Sequence, residues 1–259
     1  MENDTQTFHG STVLVTGASS GIGLATALAF GSRGAHVMAH YNQRQAEAQA
    51  VVERIREAGG SGEILQGDLG AMPGVRAMAR AIAGRPIHVL VNNAGWLVER
   101  KRVLEFTEEL WDRVIALNLS SAFFLAQAVL PGMVERKSGV IVNLSSVAAR
   151  NGGGLGALAY SAAKAGLSAA TKGLAREFAP HGIRVNAVSP GNTYFEGGIW
   201  QNIERGMPDL YKTAMALNPT GRMGTAQEVA AGVVFLASPV ASRISGTNLI
   251  IDGALTKAV

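Results

Sequence analysis

The sequence predicts an α/β domain, a parallel sheet covered by helices on both faces, and three observations predict it. Short β-rich runs alternate with longer helical patterns along nearly all of the 259 residues. The strand candidates are almost continuously apolar, as in Val13-Leu14-Val15 and Val89-Leu90-Val91, which is what burial on both faces demands. No Pro-rich, Ser-rich or charged linker divides the chain, and each parallel pair needs a crossover that an intervening helix supplies.

In order, the first strand, Thr12 to Val15, runs through Thr16-Gly17-Ala18-Ser19-Ser20-Gly21-Ile22-Gly23 into a helix near Leu24 to Ser32. A second strand, His36 to His40, precedes a helix from Gln43 to Ala58, and Gly59-Gly60-Ser61-Gly62 turns the chain into a third, Glu63 to Gln66. There follow a helix at Gly74 to Ala83, a strand at Ile87 to Val91, and one long helical pattern from Glu108 to Val134. The series closes with strand Val140 to Leu144, helix Ala157 to Ala179, strand Arg184 to Val188, helix Gln227 to Leu236 and strand Asn248 to Ile251. Only from about Gly191 to Arg222 does the alternation lapse. The expected organisation is a tail at residues 1–10 and one domain at 11–259, with an excursion at 192–217 that could cover a substrate.

Apolar residues make up 47% and charged residues 16%, enough for a large core and unlike a disordered chain. The 32 glycines have no three-residue period, so collagen is excluded and each glycine must serve its own backbone position. Net charge is +4 with a pI of about 9.6, yet the densest basic run is only Arg100-Lys101-Arg102 after Glu99. That run reads as a solvated loop, so no nucleic-acid partner is expected. Without cysteine there is no disulfide or thiolate chemistry, and nothing points to a metal site. Met1 to Gly10 lacks the apolar core of a secretory signal, and Ala122 to Val134, interrupted by Gln127 and Pro131, falls short of a membrane helix. A cytoplasmic chain with no membrane partner is the expectation.

The glycine loop after the first strand has the context a nucleotide needs. Glycines let phosphates approach the main chain, and a helix N-terminus offers unpaired N–H groups with partial positive charge. Its spacing is G-x-x-x-G-x-G, and a structural turn is the competing reading. Gly67-Asp68-Leu69 and Asn92-Asn93-Ala94-Gly95 follow the third and fourth strands, at carboxyl ends where open α/β sheets place ligands. Asparagine also suits plain turns.

Tyr160 and Lys164 stand four residues apart on a helical pattern and so share a face. A tyrosine titrates near pH 10, and a neighbouring ammonium would favour its phenolate, which suits a general acid or base. Ser145 and Ser146 close the strand Val140 to Leu144, where a hydroxyl could hold a substrate oxygen. Asn118 is a polar residue in an apolar run; it could hold a water beside Lys164 or merely satisfy a backbone group.

Taken together, these motifs resemble the short-chain dehydrogenase/reductase family from about Ser11 to Gly253, most nearly its 3-oxoacyl-carrier-protein reductase-like branch. The resemblance implies a Rossmann-type, doubly wound sheet of about seven parallel strands in one domain. It implies a catalytic tetrad of Asn118, Ser146, Tyr160 and Lys164. It also implies a nucleotide held by Gly17, Ser19, Ser20, Gly21, Ile22 and Gly23, by Asp68 and Leu69, by Asn93, Ala94 and Gly95, by Tyr160 and Lys164, and by Pro190 and Gly191. The usual assembly of such proteins is a homotetramer or homodimer. Two departures stand out: the interval from Ser146 to Tyr160 is one residue longer than usual and contains Gly152-Gly153-Gly154. After Pro190-Gly191, Thr193 is the candidate for the carboxamide where many members carry a threonine further along.

NAD-dependent members commonly end the second strand with an acidic residue on the ribose. Here the run is Ala39-His40-Tyr41-Asn42-Gln43-Arg44, with no carboxylate. Arg44, with Asn42 and His40 near it, could meet a 2′-phosphate, so NADP(H) is favoured and NAD(H) is the alternative. Ser20 carries no charge where many NADP-dependent relatives are basic. Trp96 with Leu97, and Tyr194, Phe195 and Trp200 in the excursion, are candidate walls for an apolar substrate; a subunit interface competes for the same residues. The expected function is hydride transfer between NADP(H) and a small-molecule ketone or secondary alcohol. An NAD-dependent alcohol or diol dehydrogenase, and a non-catalytic nucleotide-binding regulator, are the other readings.

Overall fold

The computed structural model describes residues 7–154 and 156–257; residues 1–6 of the expected tail lie outside these. In chain order the elements are β1 (Thr12–Val15), α1 (Gly21–Gly31), β2 (His36–Tyr41), α2 (Gln45–Glu57), β3 (Ser61–Gln66), α3 (Met72–Ile82) and β4 (Val89–Asn92). They continue with α4 (Glu108–Ile115), α5 (Ser121–Arg136), β5 (Gly139–Leu144), α6 (Ala148–Asn151), α7 (Leu158–Phe178) and β6 (Ile183–Pro190). Last come β7 (Thr193–Tyr194), α8 (Ile199–Gly206), α9 (Pro208–Ala216), β8 (Gly224–Thr225), α10 (Ala226–Ala237) and β9 (Asn248–Ile251).

Seven strands form one parallel sheet in the order β3-β2-β1-β4-β5-β6-β9. Successive side chains on a strand point to opposite faces, so each strand feeds two cores. Val13, Val15, Val89, Val91 and Val142 pack with α1, α2 and α10 on one face. Leu14, Leu90, Ile141 and Val185 pack with α3, α5 and α7 on the other. Crossovers from β1 and β4 leave toward opposite faces, and a crevice opens between the carboxyl ends of these neighbours, where such sheets take ligands.

Every expected strand is present: β1 and β9 keep their expected bounds, β2, β3, β5 and β6 are longer by one to three residues, and β4 shifts to Val89–Asn92. The expected helix Glu108 to Val134 is interrupted at Ala116–Ser120 by a π turn, a local under-winding that apolar periodicity cannot reveal. Thr107 starts this run, its hydroxyl accepting the Leu110 N–H at 3.2 Å. The whole 29-residue run from Glu108 to Arg136 is long and apolar enough to cross a membrane by composition. It is nevertheless a core helix, burying Leu125, Ala126, Val129, Leu130 and Met133 against the sheet. The excursion is also more regular than its sequence suggested, holding α8, α9 and the small pair β7/β8. Phe8, within the expected tail, is buried edge-on against Phe30 with ring centroids 4.8 Å apart.

A buried polar line ties the strands that carry the site. Asn92 Nδ2 donates to Asn143 Oδ1 at 2.9 Å, and Asn143 Nδ2 donates to Thr171 Oγ1 on α7 at 2.9 Å. All three residues are at most 4% exposed, so their hydrogen bonds offset a desolvation that nothing else would relieve. Asn143→Ala removes both bonds and opens a cavity, and is expected to cost about 3 kcal/mol of folding free energy in urea unfolding.

Candidate active site

The site is built at the carboxyl ends of β1, β2, β4 and β5. Gly17 and Gly21 adopt φ of +66° and +54°, the left-handed region that favours glycine. A β-carbon on Gly23 would overlap the Gly17 carbonyl and the Asn93 amide, so only glycine lets α1 start this close to the loop. The loop's far wall is the segment after β4. Asn93 Nδ2 donates to the Thr16 and Gly17 carbonyls at 2.8 and 3.2 Å. The Asn93 and Ala94 N–H groups both donate to Thr16 Oγ1 at 2.9 Å. Asn92, by contrast, points inward to the buried line. Thr16, quoted in the sequence only as the first residue of the glycine run, is therefore the hinge between the two loops.

Gly95 faces the reaction centre: a β-carbon there would lie 2.8 Å from Asn118 Oδ1 and 2.9 Å from Lys164 Nζ. Asn118 occupies the π turn and its side chain is fully engaged. Oδ1 accepts the Trp96 N–H at 3.1 Å, and Nδ2 donates to the Trp96 and Val114 carbonyls at 2.9 Å each. The expectation that this amide holds a water gives way to a clasp on the Trp96 backbone.

Ser146 lies close enough to Tyr160 to favour the phenolate form of its side chain. Ser146 Oγ also accepts the Ala148 N–H at 3.1 Å. Ser145 is buried and bonded to the Lys164 carbonyl and Ser168 Oγ at 3.0 and 2.8 Å, so of the two serines only Ser146 faces Tyr160. Lys164 is 3% exposed; its Nζ donates to the Leu144 carbonyl at 2.7 Å and lies 5.6 Å from the Tyr160 ring centre. Burial lowers the Lys164 pKa to about 8. Burial also pushes the Tyr160 phenol up, against a downward pull from Ser146. Burial thus governs the phenol, where a depression by Lys164 was expected, and Tyr160 stands as a protonated acid at neutral pH.

At the other end of the groove, Asp68 Oδ1 accepts the Gly70 N–H at 2.9 Å and Asn42 Nδ2 at 3.3 Å. The Leu69 side chain is in the core, which leaves its main chain to face the groove. Arg44 begins α2 beside the excursion, its Nη1 3.9 Å from where a β-carbon on Gly197 would stand. His40 is not available to a phosphate. It is 2% exposed, with both ring nitrogens bonded to main chain, and burial lowers its pKa to about 4.

Several further expectations change. Gly191 has a further reason to be glycine that the sequence does not show: a β-carbon there would lie 2.6 Å from Asp252 Cβ. The Pro190 carbonyl accepts the Val147 N–H at 3.2 Å. Thr193 is buried and its hydroxyl donates to the Gly191 carbonyl at 3.2 Å, leaving it only acceptor capacity. Tyr194 holds the excursion together, donating to Glu204 Oε2 at 2.6 Å and meeting Tyr211 edge-on. The Phe195 ring lies on Gly21 of the cradle, with ring carbons 2.5–2.9 Å from where a β-carbon would be. Trp96 is 41% exposed beside the tetrad, and Trp200 is half-buried on α8.

A glycine cradle at a helix N-terminus, backed by Asn93 and closed at the far end by Asp68, fits a dinucleotide, and the Tyr160–Lys164 pair supplies a proton donor beside a cation. Fold and site together define a Rossmann-type nucleotide-dependent oxidoreductase. Comparison with known proteins narrows the class. A family model described as enoyl-(acyl carrier protein) reductase matches residues 17–256. The 3β-hydroxysteroid dehydrogenase 1 of Eggerthella lenta is 38% identical over 252 residues, 95% of this chain and 94% of that protein. The 3-oxoacyl-[acyl-carrier-protein] reductase of Escherichia coli is 38% identical over 250 residues, 96% of this chain and 98% of that one. Among solved structures, the angucycline C-6 ketoreductase LanV with bound NADP superposes with a TM-score of 0.87 at 31% identity, covering 96% of each chain. The chain belongs to the short-chain dehydrogenase/reductase family of NAD(P)-dependent oxidoreductases.

Neutral, buried His40 imposes a pH dependence on stability. Between pH 6.5 and about 4 the unfolded chain protonates this histidine and the folded one does not, so stability falls as pH drops through that window and its contribution levels off below it. The loss attributable to His40 is expected to reach about 3 kcal/mol. Urea titrations across the window should show a shallower slope in His40→Asn than in the wild type.

Proposed function

We propose that this chain reduces an uncharged ketone to a secondary alcohol with NADPH, and runs the reverse oxidation. The observation that carries the reading is the buried Lys164 ammonium, 5.6 Å from the Tyr160 ring centre, with Ser146 beside that phenol, at the carboxyl edge of the sheet next to a dinucleotide cradle. Bound NADPH supplies the hydride. The protein's part begins with the Ser146 and Tyr160 hydroxyls, which hold the carbonyl oxygen by two hydrogen bonds and fix its distance from the cofactor. As negative charge develops on that oxygen, Tyr160 donates its proton; its raised pKa keeps that proton in place at neutral pH until then. Lys164, cationic below about pH 8, stabilises the phenolate left behind and offers its remaining N–H groups to a ribose. Asn118 positions these groups by holding the Trp96 backbone next to Gly95, where only glycine fits between Asn118 and Lys164.

Arg44 is the proposed partner of the 2′-phosphate, since the end of β2 offers no carboxylate to repel it and Asn42 is tied to Asp68. The NADP bound in LanV supports this choice. The hydroxysteroid, 3-oxoacyl and angucycline ketone names of the relatives share carbonyl and alcohol chemistry, which supports the substrate class. The reading extends to a cytoplasmic enzyme of two or four identical subunits, as the family resemblance implies.

Tyr160→Phe should cut turnover of any accepted ketone by about 10²–10⁴-fold, the worth of a positioned general acid. NADPH affinity, measured by nicotinamide fluorescence, should stay within about threefold, and retained turnover would sink the assignment. Arg44→Ala should lower the NADPH over NADH ratio of kcat/KM by about 10- to 100-fold, the range of a hydrogen bond to a charged group. An unchanged ratio would remove Arg44 from the phosphate site.

A further inference from the structure

We propose that His40 is a positioning residue for the dinucleotide, a clasp that sets which amides of the glycine loop are left to receive phosphate. The proposal rests on the reading of this groove as an NADPH site, and it starts from three contacts. The Gly17 N–H donates to His40 Nδ1 at 3.0 Å, and the next amide, Ala18 N–H, donates to the His40 carbonyl at 2.8 Å. The other ring nitrogen, Nε2, lies 3.0 Å from the Gly67 carbonyl after β3.

Together these contacts settle the tautomer. An amide N–H can only donate, so Nδ1 accepts and carries no proton; Nε2 therefore bears the proton and gives it to Gly67. One side chain on β2 thus joins the loop after β1 to the loop after β3, whose next residue is Asp68. The fixed-length link sets the spacing between the cradle, where the pyrophosphate would sit, and Asp68 at the far end of the groove.

The clasp also sorts the donors. Gly17 and Ala18 N–H point to His40, away from the groove. The first intrahelical bond of α1 is Leu24 N–H to the Ser20 carbonyl at 3.1 Å, so the Gly21, Ile22 and Gly23 amides come before it and are the unpaired donors of the helix N-terminus. If the His40 side chain is removed, the Gly17 amide loses a buried acceptor and the first turn of the loop is free to rotate. The tetrad is built on other elements, β5, α7 and the π turn, so the chemical step should be spared.

The test joins amide exchange with cofactor binding. In the cofactor-free wild type, Gly17 and Ala18 amides should exchange at least about 100-fold more slowly than unprotected amides, and free exchange at Gly17 would overturn the clasp without any variant being made. His40→Asn keeps an acceptor, Oδ1, near the Nδ1 position; His40→Ala keeps none. Nicotinamide fluorescence titration should show NADPH bound within about threefold of wild type by His40→Asn and at least about tenfold more weakly by His40→Ala. The kcat at saturating NADPH should stay within about twofold in both variants. Equal affinities in the two variants, or a fall in kcat with unchanged affinity, would refute the positioning role. Should the wild type bind no NADPH while Gly17 remains protected, the cofactor reading fails and the clasp survives as structure only.

Discussion

The hydroxyl of Thr16 accepts two amide protons, from Asn93 and Ala94, at the point in the sheet where adjacent strands send their helices to opposite faces. Every functional group depends on that meeting. A crevice between diverging crossovers leaves main-chain N–H and C=O groups without strand partners, and unpaired polar groups at the floor of a fold are costly. Thr16 and the Asn93 amide satisfy four of them at once, which lets the glycine loop and the segment before Gly95 approach to hydrogen-bond distance. From Gly95 the constraint passes to Asn118 and Lys164, because a side chain at that glycine would collide with both.

The reaction centre shows the same opposition between burial and polarity in its titrations. Desolvation moves Lys164 down and Tyr160 up, so at neutral pH the pair is an ammonium beside an intact phenol rather than an ion pair. That state is the one a carbonyl reduction starts from. The Leu144 carbonyl, 2.7 Å from Nζ, keeps the cation at the end of β5. Since Ser146 follows two residues later on the same strand end, the hydroxyl donor and the charge move as one rigid unit.

Much of this was legible in the sequence because parallel strands are buried on both faces and so read as apolar runs, and because Gly17, Gly21, Gly23 and the Tyr160–Lys164 pair have backbone or helical-spacing reasons that survive without coordinates. What was not legible depended on partners distant in sequence. His40 reads as a cation beside Arg44 until β3 brings the Gly67 carbonyl to its ring. The packing of Asp252, just after β9, against Gly191 has no mark in the sequence. Asn118 was recognised as a polar residue out of place, but its acceptors lie on a loop 22 residues away and on α4, and it sits in a π turn with no compositional mark. The two helices of the excursion were missed because each is only eight or nine residues long, too short for periodicity to declare itself.

That excursion alters how the two halves of the groove relate. Its residues had suggested a wall for the substrate alone, yet Phe195 lies on Gly21 of the cradle and Gly197, with φ of +72°, turns beside Arg44. The Tyr194–Glu204 bond and the Tyr194–Tyr211 ring contact fasten this strap to α8 and α9, so it cannot flex residue by residue. The strap therefore packs on the glycine loop and beside Arg44, the half of the groove that fits the nucleotide. The apolar character of Tyr194, Phe195 and Trp200 therefore reflects packing of the strap on itself and on the cradle at least as much as any preference for an apolar substrate, and substrate selection must be sought in the side chains nearest Tyr160, on the Trp96 loop and the glycine-rich loop before α7.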